Sequence, residues 1–220
     1  MTRIILVRHA EAEGNALKLF QGRIDMPVSE KGKKQLDLLA LRCRNMARDA
    51  IYTSPLRRAK ETAEAINQFN AVPLYEDAGL MEINGGVWDG KPWADFATLY
   101  PEDLDNWNNA PWNFAPDEGE AMTQVYDRVY DAVCRIAEAN KGKTVFVVSH
   151  GCAIRNLLCR IKHNDIHKLN EVGWGDNTSV SYIDFDENMI PTLTMETDAS
   201  HLDAETSSVC NQVWRKEAEQ

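Results

Sequence analysis

The sequence has no long run of apolar residues and no surplus of positive charge. Its longest apolar runs are short pieces such as Ile4–Val7, far below the roughly 18–20 residues of a membrane-spanning helix. The first residues lack the apolar core of a secretory signal, so we expect a cytoplasmic protein. The net charge of -10 argues against a nucleic-acid partner, because phosphate backbones bind basic surfaces. The sequence therefore predicts neither a membrane protein nor a nucleic-acid-binding protein.

Cysteine is scarce and has no paired spacing. The sequence has an odd number of cysteines and no CxxC motif, with the five at Cys43, Cys134, Cys152, Cys159 and Cys210. Such a set fits neither a disulfide framework nor a zinc cluster. Cys43 and Cys134 fall on the apolar stripes of predicted helices, so we expect buried thiols there. His163 and His167 have helical spacing, but no further metal ligands lie near them in the sequence.

Hydrophobic residues are plentiful enough for a folded core. They make up 44% of the 220 residues, which is sufficient for one domain spanning residues 1–220. Strand-like segments are predicted at residues 3–7, 50–53, 71–82 and 144–149. Helices are predicted between them. The first starts at an N-cap, Ser29, and has an apolar face that ends at Ala47. The others run from Pro55 to about Asn67, over residues 120–139, and onward from just after Gly151. This alternation predicts a mostly parallel sheet covered by helices on both faces.

Two regions depart from that alternation. Residues 179–185 and 192–197 alternate as a late pair of strands, and Val213-Trp214 lies in a helix-like piece of the polar tail. Residues 85–119 hold four tryptophans and little periodicity beyond a short helix near Pro92–Leu99. We interpret this segment as an insertion over one end of the sheet, where loops that select a substrate usually lie. For each tryptophan, a place in a small local core is an equal alternative.

Two histidines follow predicted strands in the same way. His9 comes after the first strand and follows Arg8, whereas His150 comes after residues 144–149 and precedes Gly151 at a helix start. The carboxyl ends of parallel strands form the ligand crevice of open α/β folds, and free backbone N–H groups at a helix start attract anions. The two histidines are therefore predicted to meet at an anion site.

Two further clusters belong to the same edge of the predicted sheet. Arg57 and Arg58 follow the strand at 50–53, and we expect Arg57 to face solvent and Arg58 to reach the crevice. Glu82 follows the apolar residues Leu80-Met81, and glycines beyond it allow a tight turn around a site.

The ordered motifs resemble the histidine phosphatase superfamily, the phosphoglycerate mutase-like proteins with an Arg-His-Gly motif. They are LVRHAEAEGN at 6–15, FQG at 20–22, TSPLRRAKETA at 53–63, LMEINGGVWDG at 80–90 and VVSHG at 147–151. The resemblance implies a three-layer α/β/α sandwich with a mainly parallel central sheet. It also implies a phosphatase-type enzyme that acts on a small phosphorylated metabolite and needs no metal or other cofactor.

The resemblance also implies a role for each matched residue. His9 would be the nucleophile that becomes phosphohistidine, and Glu82 the proton donor. Arg8, Arg58 and His150 would form the phosphate pocket. The remaining matches imply contacts to phosphate or substrate from Asn15, Gln21, Gly22 and Gly151.

Physical chemistry supports those roles. Phosphoryl transfer spreads charge over three equatorial oxygens, and arginine forks and an imidazole supply donors to them. Nearby cations should also keep His9 neutral, as a nucleophile must be. One departure concerns Ala12, where many relatives carry a hydroxyl, and it weakens any transfer of substrate identity.

Three alternatives remain beside the phosphatase. A cofactor-dependent mutase would return the phosphoryl group to another hydroxyl, but residues 83–149 hold few basic residues to bind its substrates: Lys91, Arg128, Arg135, Lys141 and Lys143. Gly119-Glu120 resembles the Gly-Glu-Ser segment of phosphatase-like members, with Ala121 in place of serine. A non-catalytic ligand-binding protein and a zinc enzyme are weaker alternatives. The sequence allows a homodimer, which is common in the family, without deciding it.

Overall fold

Six strands form the centre of the structure, a computed structural model that describes residues 1–208. The strands are β1 (Thr2–Arg8), β2 (Ala50–Thr53), β3 (Leu74–Glu76), β4 (Thr144–Ser149), β5 (Val180–Phe185) and β6 (Pro191–Asp198). They lie in the order β3-β2-β4-β1-β5-β6. The first four are mutually parallel, and β5 and β6 add an antiparallel hairpin at one edge. The predicted mainly parallel sheet and the late hairpin are confirmed.

Helices cover both faces of this sheet. The seven in the described residues are α1 (Glu13–Ala16), α2 (Glu30–Cys43), α3 (Arg57–Asn67), α4 (Phe96–Leu99), α5 (Pro101–Asn109), α6 (Met122–Ala139) and α7 (Gly151–His163). Side chains alternate across a strand, so Ile4 and Leu6 of β1 join the core under α6 and α7, whereas Ile5 and Val7 join the core under α2 and α3. The predicted α/β/α sandwich is confirmed. None of the helices in residues 1–208 has the length and hydropathy to span a membrane.

The predicted starts of α2 and α3 differ in accuracy. The Ser29 hydroxyl accepts the Gly32 N–H at 3.0 Å, as an N-cap does. The helix ends at Cys43, so Ala47, predicted on its apolar face, lies beyond the helix and is exposed. Pro55 precedes the N-cap Leu56 of α3 and is not in its first turn, contrary to the prediction.

The third strand is much shorter than predicted. It ends at Glu76, and the Asp77 carboxylate accepts the Gly79 N–H at 2.7 Å to start a 3-10 turn over Ala78–Leu80. Aspartate commonly ends extended structure in this way, because its side chain bonds the backbone two residues on. Glu82 therefore lies in a loop and not at a strand end. The predicted helix-like piece at Val213-Trp214 falls outside the described residues.

The segment at residues 85–119 folds as short turns around α4 and α5. Trp88 is fully buried, and its ring stacks on Phe96 at 3.9 Å between centroids. Both residues belong to the same apolar cluster as Ile4 and Leu6 of the sheet. Trp88 therefore packs in a core, as the alternative to a substrate contact proposed, but this core is continuous with the core of the sheet.

Candidate active site

The two predicted histidines meet at the ends of β1 and β4. Arg8 and Ser149 are paired across these parallel strands, so the next residues, His9 and His150, lie side by side. Their ring centroids are 5.0 Å apart, and the His9 N–H donates to the Ser149 carbonyl at 2.9 Å. The sheet register thus brings the two motifs together.

The His9 ring has a defined tautomer. Its Nδ1 lies 2.6 Å from the Ala10 carbonyl oxygen. A carbonyl only accepts hydrogen bonds, so Nδ1 carries the proton and Nε2 keeps its lone pair. Burial lowers the pKa of His9 well below its usual value, and the positive charges of Arg58 and Arg8 lower it further. The neutral imidazole is therefore the form present at neutral pH.

Two buried guanidiniums flank His9. Arg8 donates to the Gly175 carbonyl at 2.5 Å, and Arg58 donates to the carbonyls of Ile24 and Gly22, each at 2.7 Å. Burial lowers the pKa of Arg58 to about 10, so it stays charged at neutral pH. The Nε atoms of both arginines are buried and have no hydrogen-bond partner within residues 1–208. Such donors suit an oxyanion.

Arg57 and Arg58 separate as predicted. Arg57 is exposed and pairs with Glu61 on the helix surface, whereas only 1% of the surface of Arg58 is exposed.

His150 lies behind His9 and does not line the cleft. Its Nε2 is 2.7 Å from the Ser54 hydroxyl, and its buried Nδ1 has no hydrogen-bond partner in the described chain. Burial lowers the pKa of His150 well below its usual value, and Arg58 and His9 add to the effect. Sequence analysis missed the role of Ser54, although this serine stands inside the quoted TSPLRRAKETA motif.

The Glu82 carboxylate is held at the first turn of α7. It accepts the N–H groups of Ile83 at 2.9 Å and of Cys152 and Ala153 at 3.0 Å each. The positive end of the helix dipole favours a carboxylate there. An ionised carboxylate has about four lone-pair sites, so one remains for a proton or a ligand.

These side chains surround one cleft of about 70 Å³. The cleft is lined by all the predicted site residues except His150, namely Arg8, His9, Asn15, Gln21, Gly22, Arg58, Glu82 and Gly151. The Arg8 guanidinium lies so close to Gly151 that an added Cβ would be 3.2 Å from its Cζ. Ala12, the departure from the family pattern, is fully buried and is not part of the lining.

Part of the cleft lining is aromatic. Phe20, Trp93, Trp107 and Trp174 line the cleft together with Lys18, and the rings of Trp107 and Trp174 stack at 6.1 Å between centroids. Trp93 and Trp107 come from the 85–119 segment, whereas Trp112 packs against His167 and does not line the cleft. Sequence analysis missed Trp174 and Lys18, because neither belongs to a motif.

A half-buried carboxylate, that of Asp89, shapes the loop that carries Gln21 and Gly22. Asp89 accepts the N–H groups of Arg23 and Gly85, each at 3.1 Å. Gly22 has a left-handed φ of 45°, and an added Cβ there would lie 1.8 Å from an Asp89 oxygen. Burial raises the pKa of Asp89 to about 6. The Gly22 carbonyl also accepts a hydrogen bond from Arg58. Asp89 therefore helps to fix the position of the Arg58 guanidinium.

No group of three or more His, Cys, Asp or Glu side chains within residues 1–208 could hold a metal ion. His163 and His167, the pair considered for zinc, have no such group around them, and His167 bonds to Asp165.

The chain resembles known proteins over most of its length. The sequence profile of the histidine phosphatase superfamily (branch 1) matches residues 4–197. Phosphoserine phosphatase 1 of Hydrogenobacter thermophilus is 35% identical over 187 residues, which cover 85% of this chain and 88% of that protein. A probable phosphoglycerate mutase, GpmB of Citrobacter koseri, is 33% identical, with 93% of this chain and 96% of that protein covered.

Solved structures agree with this match. YhfR of Bacillus stearothermophilus superimposes with a TM-score of 0.88 at 33% sequence identity. The superposition covers 92% of this chain and 100% of the YhfR chain. A phosphoserine phosphatase mutant from Entamoeba histolytica, in complex with phosphoserine, gives a TM-score of 0.80 at 25% identity, with 92% of this chain and 100% of that chain covered. With its two histidines and two buried arginines at the carboxyl edge of a mainly parallel sheet, the chain belongs to branch 1 of the histidine phosphatase superfamily.

Proposed function

We propose that this chain hydrolyses small phosphate monoesters through a phosphohistidine formed on His9. The observation that carries the proposal is the Nδ1–H bond from His9 to the Ala10 carbonyl, which directs the lone pair of Nε2 away from it. The imidazole is neutral, and the buried Arg8 and Arg58 line the same cleft. Family membership and the similarity to phosphatases support hydrolysis as the outcome.

The reaction has two displacement steps. In the first, the Nε2 lone pair of His9 forms a bond to phosphorus as the bond to the ester oxygen breaks, and Glu82 gives its proton to that leaving oxygen. In the second, Glu82 takes a proton from water, the water oxygen bonds to phosphorus, and the phosphorus–nitrogen bond breaks to release phosphate. Arg8 and Arg58, which line the cleft, stabilise the charge on the three equatorial oxygens.

The distribution of basic residues favours hydrolysis over the mutase alternative. None of the five basic residues between Glu82 and His150 lines the cleft. Arg135, for example, pairs with Asp77. Beyond Arg8 and Arg58, Lys18 is the one cationic side chain in the lining, which leaves little to hold a bisphosphorylated intermediate in place. The similarity to GpmB keeps the mutase as the second candidate.

The substrate we propose is a small phosphorylated metabolite. The similarity to phosphoserine phosphatases supports this class, and we expect the aromatic side chains in the lining to contact the leaving group. We further propose a cytoplasmic location, which the four unpaired cysteines in the described chain support, because disulfides are rare in that compartment.

Phosphate release tests the function. The protein is assayed in EDTA with p-nitrophenyl phosphate and with metabolite monoesters that include phosphoserine and 3-phosphoglycerate. We expect metal-independent release that disappears in His9→Ala. Interconversion of phosphoglycerates, primed by a bisphosphate and without release, would instead support the mutase. Silence in both assays would contradict catalysis.

A further inference from the structure

A guanidinium from α6 bonds three carbonyls of the loop that presents Glu82. Arg128 Nη1 donates to the carbonyls of Gly79 and Met81 at 2.9 and 3.0 Å, and Nη2 lies 3.5 Å from the Glu82 carbonyl, which also accepts from Arg23 Nε at 3.4 Å. The Ser149 hydroxyl donates to the Leu80 carbonyl at 2.8 Å. Four successive carbonyls, from Gly79 to Glu82, therefore accept bonds from side chains, and the loop has no regular secondary structure between the 3-10 turn at Ala78–Leu80 and residue 85.

Arg128 is itself held by a second side chain. The Glu120 carboxylate accepts from its Nε at 2.7 Å and from its Nη2 at 2.8 Å, in a two-point pair. The same carboxylate accepts the Asn84 N–H at 3.3 Å, and the Glu120 N–H donates back to the Asn84 carbonyl at 2.8 Å. Only 12% of the Glu120 side chain and 22% of the Arg128 side chain are exposed. A guanidinium has five N–H donors in a planar fork and can bond the carboxylate at two points and the loop carbonyls as well, whereas an ammonium has three donors.

We propose that Arg128, oriented by Glu120, is a positioning residue that sets the place of the Glu82 carboxylate in the cleft. This inference rests on the proposed function, in which Glu82 protonates the leaving oxygen. Glu82 has two separate attachments: Arg128, together with Arg23, holds its main chain, and the backbone N–H groups of Ile83, Cys152 and Ala153 hold its carboxylate. Both are needed, because an acid displaced by about 1 Å can cost on the order of 100-fold in rate.

The effect of losing Arg128 depends on the leaving group. An alkoxide leaves only with a proton, whereas p-nitrophenolate leaves readily without one. We expect Arg128→Lys to lower kcat/KM, which reports the transfer to His9 and not the later hydrolysis of phosphohistidine, by about tenfold or more for an alkyl phosphate such as phosphoserine. The same variant should change kcat/KM for p-nitrophenyl phosphate by less than about threefold. Glu120→Gln should show the same selectivity to a smaller extent, since Arg128 remains.

Arg135→Lys is the matched control. Arg135 also projects from α6 and also pairs with a carboxylate near the same loop, but its partner is the Asp77 side chain and it donates to none of these carbonyls. We expect this variant to match the wild type with both esters. Thermal unfolding of each variant checks that it is folded, and Glu120→Gln keeps the test open if Arg128→Lys does not fold.

Glu82→Gln separates the two proposals. If it lowers kcat/KM for the alkyl ester far more than for the aryl ester, the acid role stands, and adding Arg128→Lys to it should give no further selective loss. An equal loss of kcat/KM for both esters in Glu82→Gln would overturn the acid role in the proposed function. A selective loss in Glu82→Gln, together with an equal loss of kcat/KM for both esters in Arg128→Lys, would overturn the positioning role alone.

Discussion

At the residue scale, the cleft residues that stand in motifs were predictable, whereas the residues that support them, and the lining residues Lys18 and Trp174, were not. His9, Arg58 and Glu82 stand in motifs, so sequence analysis found all three. Ser54 and Asp89 act by holding another group, Ser54 the His150 ring and Asp89 the backbone beside Gly22. Their contacts join residues far apart in the chain, which local sequence does not reveal.

Asp89→Asn should weaken substrate binding more than it slows turnover. An amide offers one acceptor oxygen to two N–H donors, those of Arg23 and Gly85, and leaves one of them facing its own NH2 group. The loop at Gly22, which bonds Arg58, would lose a fixed point. We expect KM to rise about tenfold, equivalent to a binding loss of about 1.4 kcal/mol, in steady-state assays at pH 7.5.

Acidification should mimic that substitution in the wild type. The pKa of Asp89 is raised to about 6, so its carboxyl is ionised above that pH and gains a proton below it, losing one acceptor. We expect the wild-type KM to rise as the pH falls from 7 to 5, beyond the rise seen in Asp89→Asn. The titration of the substrate is common to both proteins, so parallel pH curves would contradict this role.

At the element scale, periodicity identified the long buried elements and failed on the short exposed ones. β1, β4, α6 and α7 carry continuous apolar patterns and lie where predicted. β3 is a three-residue edge strand with two exposed residues, so no apolar run marks where it ends. α5 was missed although Pro101 begins it and two acidic residues follow, as is typical of a helix start.

The 85–119 segment contributes to the cleft through particular tryptophans. We expect Trp107→Ala to lower kcat/KM about tenfold or more for aryl phosphates, because it removes a ring that lines the cleft and stacks on Trp174. Trp112→Ala is the control, since Trp112 packs against His167 outside the lining. Equal activity of both variants, at matched thermal stability, would contradict a substrate-contacting role for the segment.

At the scale of the whole molecule, we propose one domain with no separable insertion. Trp88 and Phe96 share an apolar cluster with the central strands. Near the end of the described chain, Ser208 donates its N–H to Asp176 at 2.7 Å, and Gln35 of α2 donates to the Thr206 carbonyl at 2.7 Å. These contacts tie residues 203–208 to the loop behind Arg8. Sequence analysis gave no indication of them, because the segment is polar.

His201 links this last part of the chain to the sheet and to α2. Arg42 approaches its Nδ1 at 2.9 Å, and its Nε2 lies 3.1 Å from the Thr178 hydroxyl. Burial and Arg42 lower the pKa of His201 to about 4, against opposing effects of Asp198 and Asp176. The unfolded chain binds this proton at a higher pH, so stability is lost as the pH falls from about 6.5 towards 4.

His201→Gln removes that titration while an amide can still accept from Arg42 and donate to Thr178. Between pH 7 and pH 5, we expect the free energy of unfolding to fall by about 1 kcal/mol more in the wild type than in the variant. This figure is reduced for solvent screening, because the His201 ring is partly exposed. Urea unfolding at the two pH values measures the difference. An identical loss in both proteins would show that His201 is not a source of acid instability.

Trapping the phosphoenzyme tests the central claim most directly. The protein is mixed with excess p-nitrophenyl phosphate, quenched in alkali within a turnover, and examined by intact mass and by fragmentation. The account predicts one added phosphoryl group on His9, stable in alkali and lost in acid, and absent from His9→Ala. A burst of p-nitrophenol with the phosphoryl group on another residue, or steady release of phosphate by His9→Ala, would contradict it.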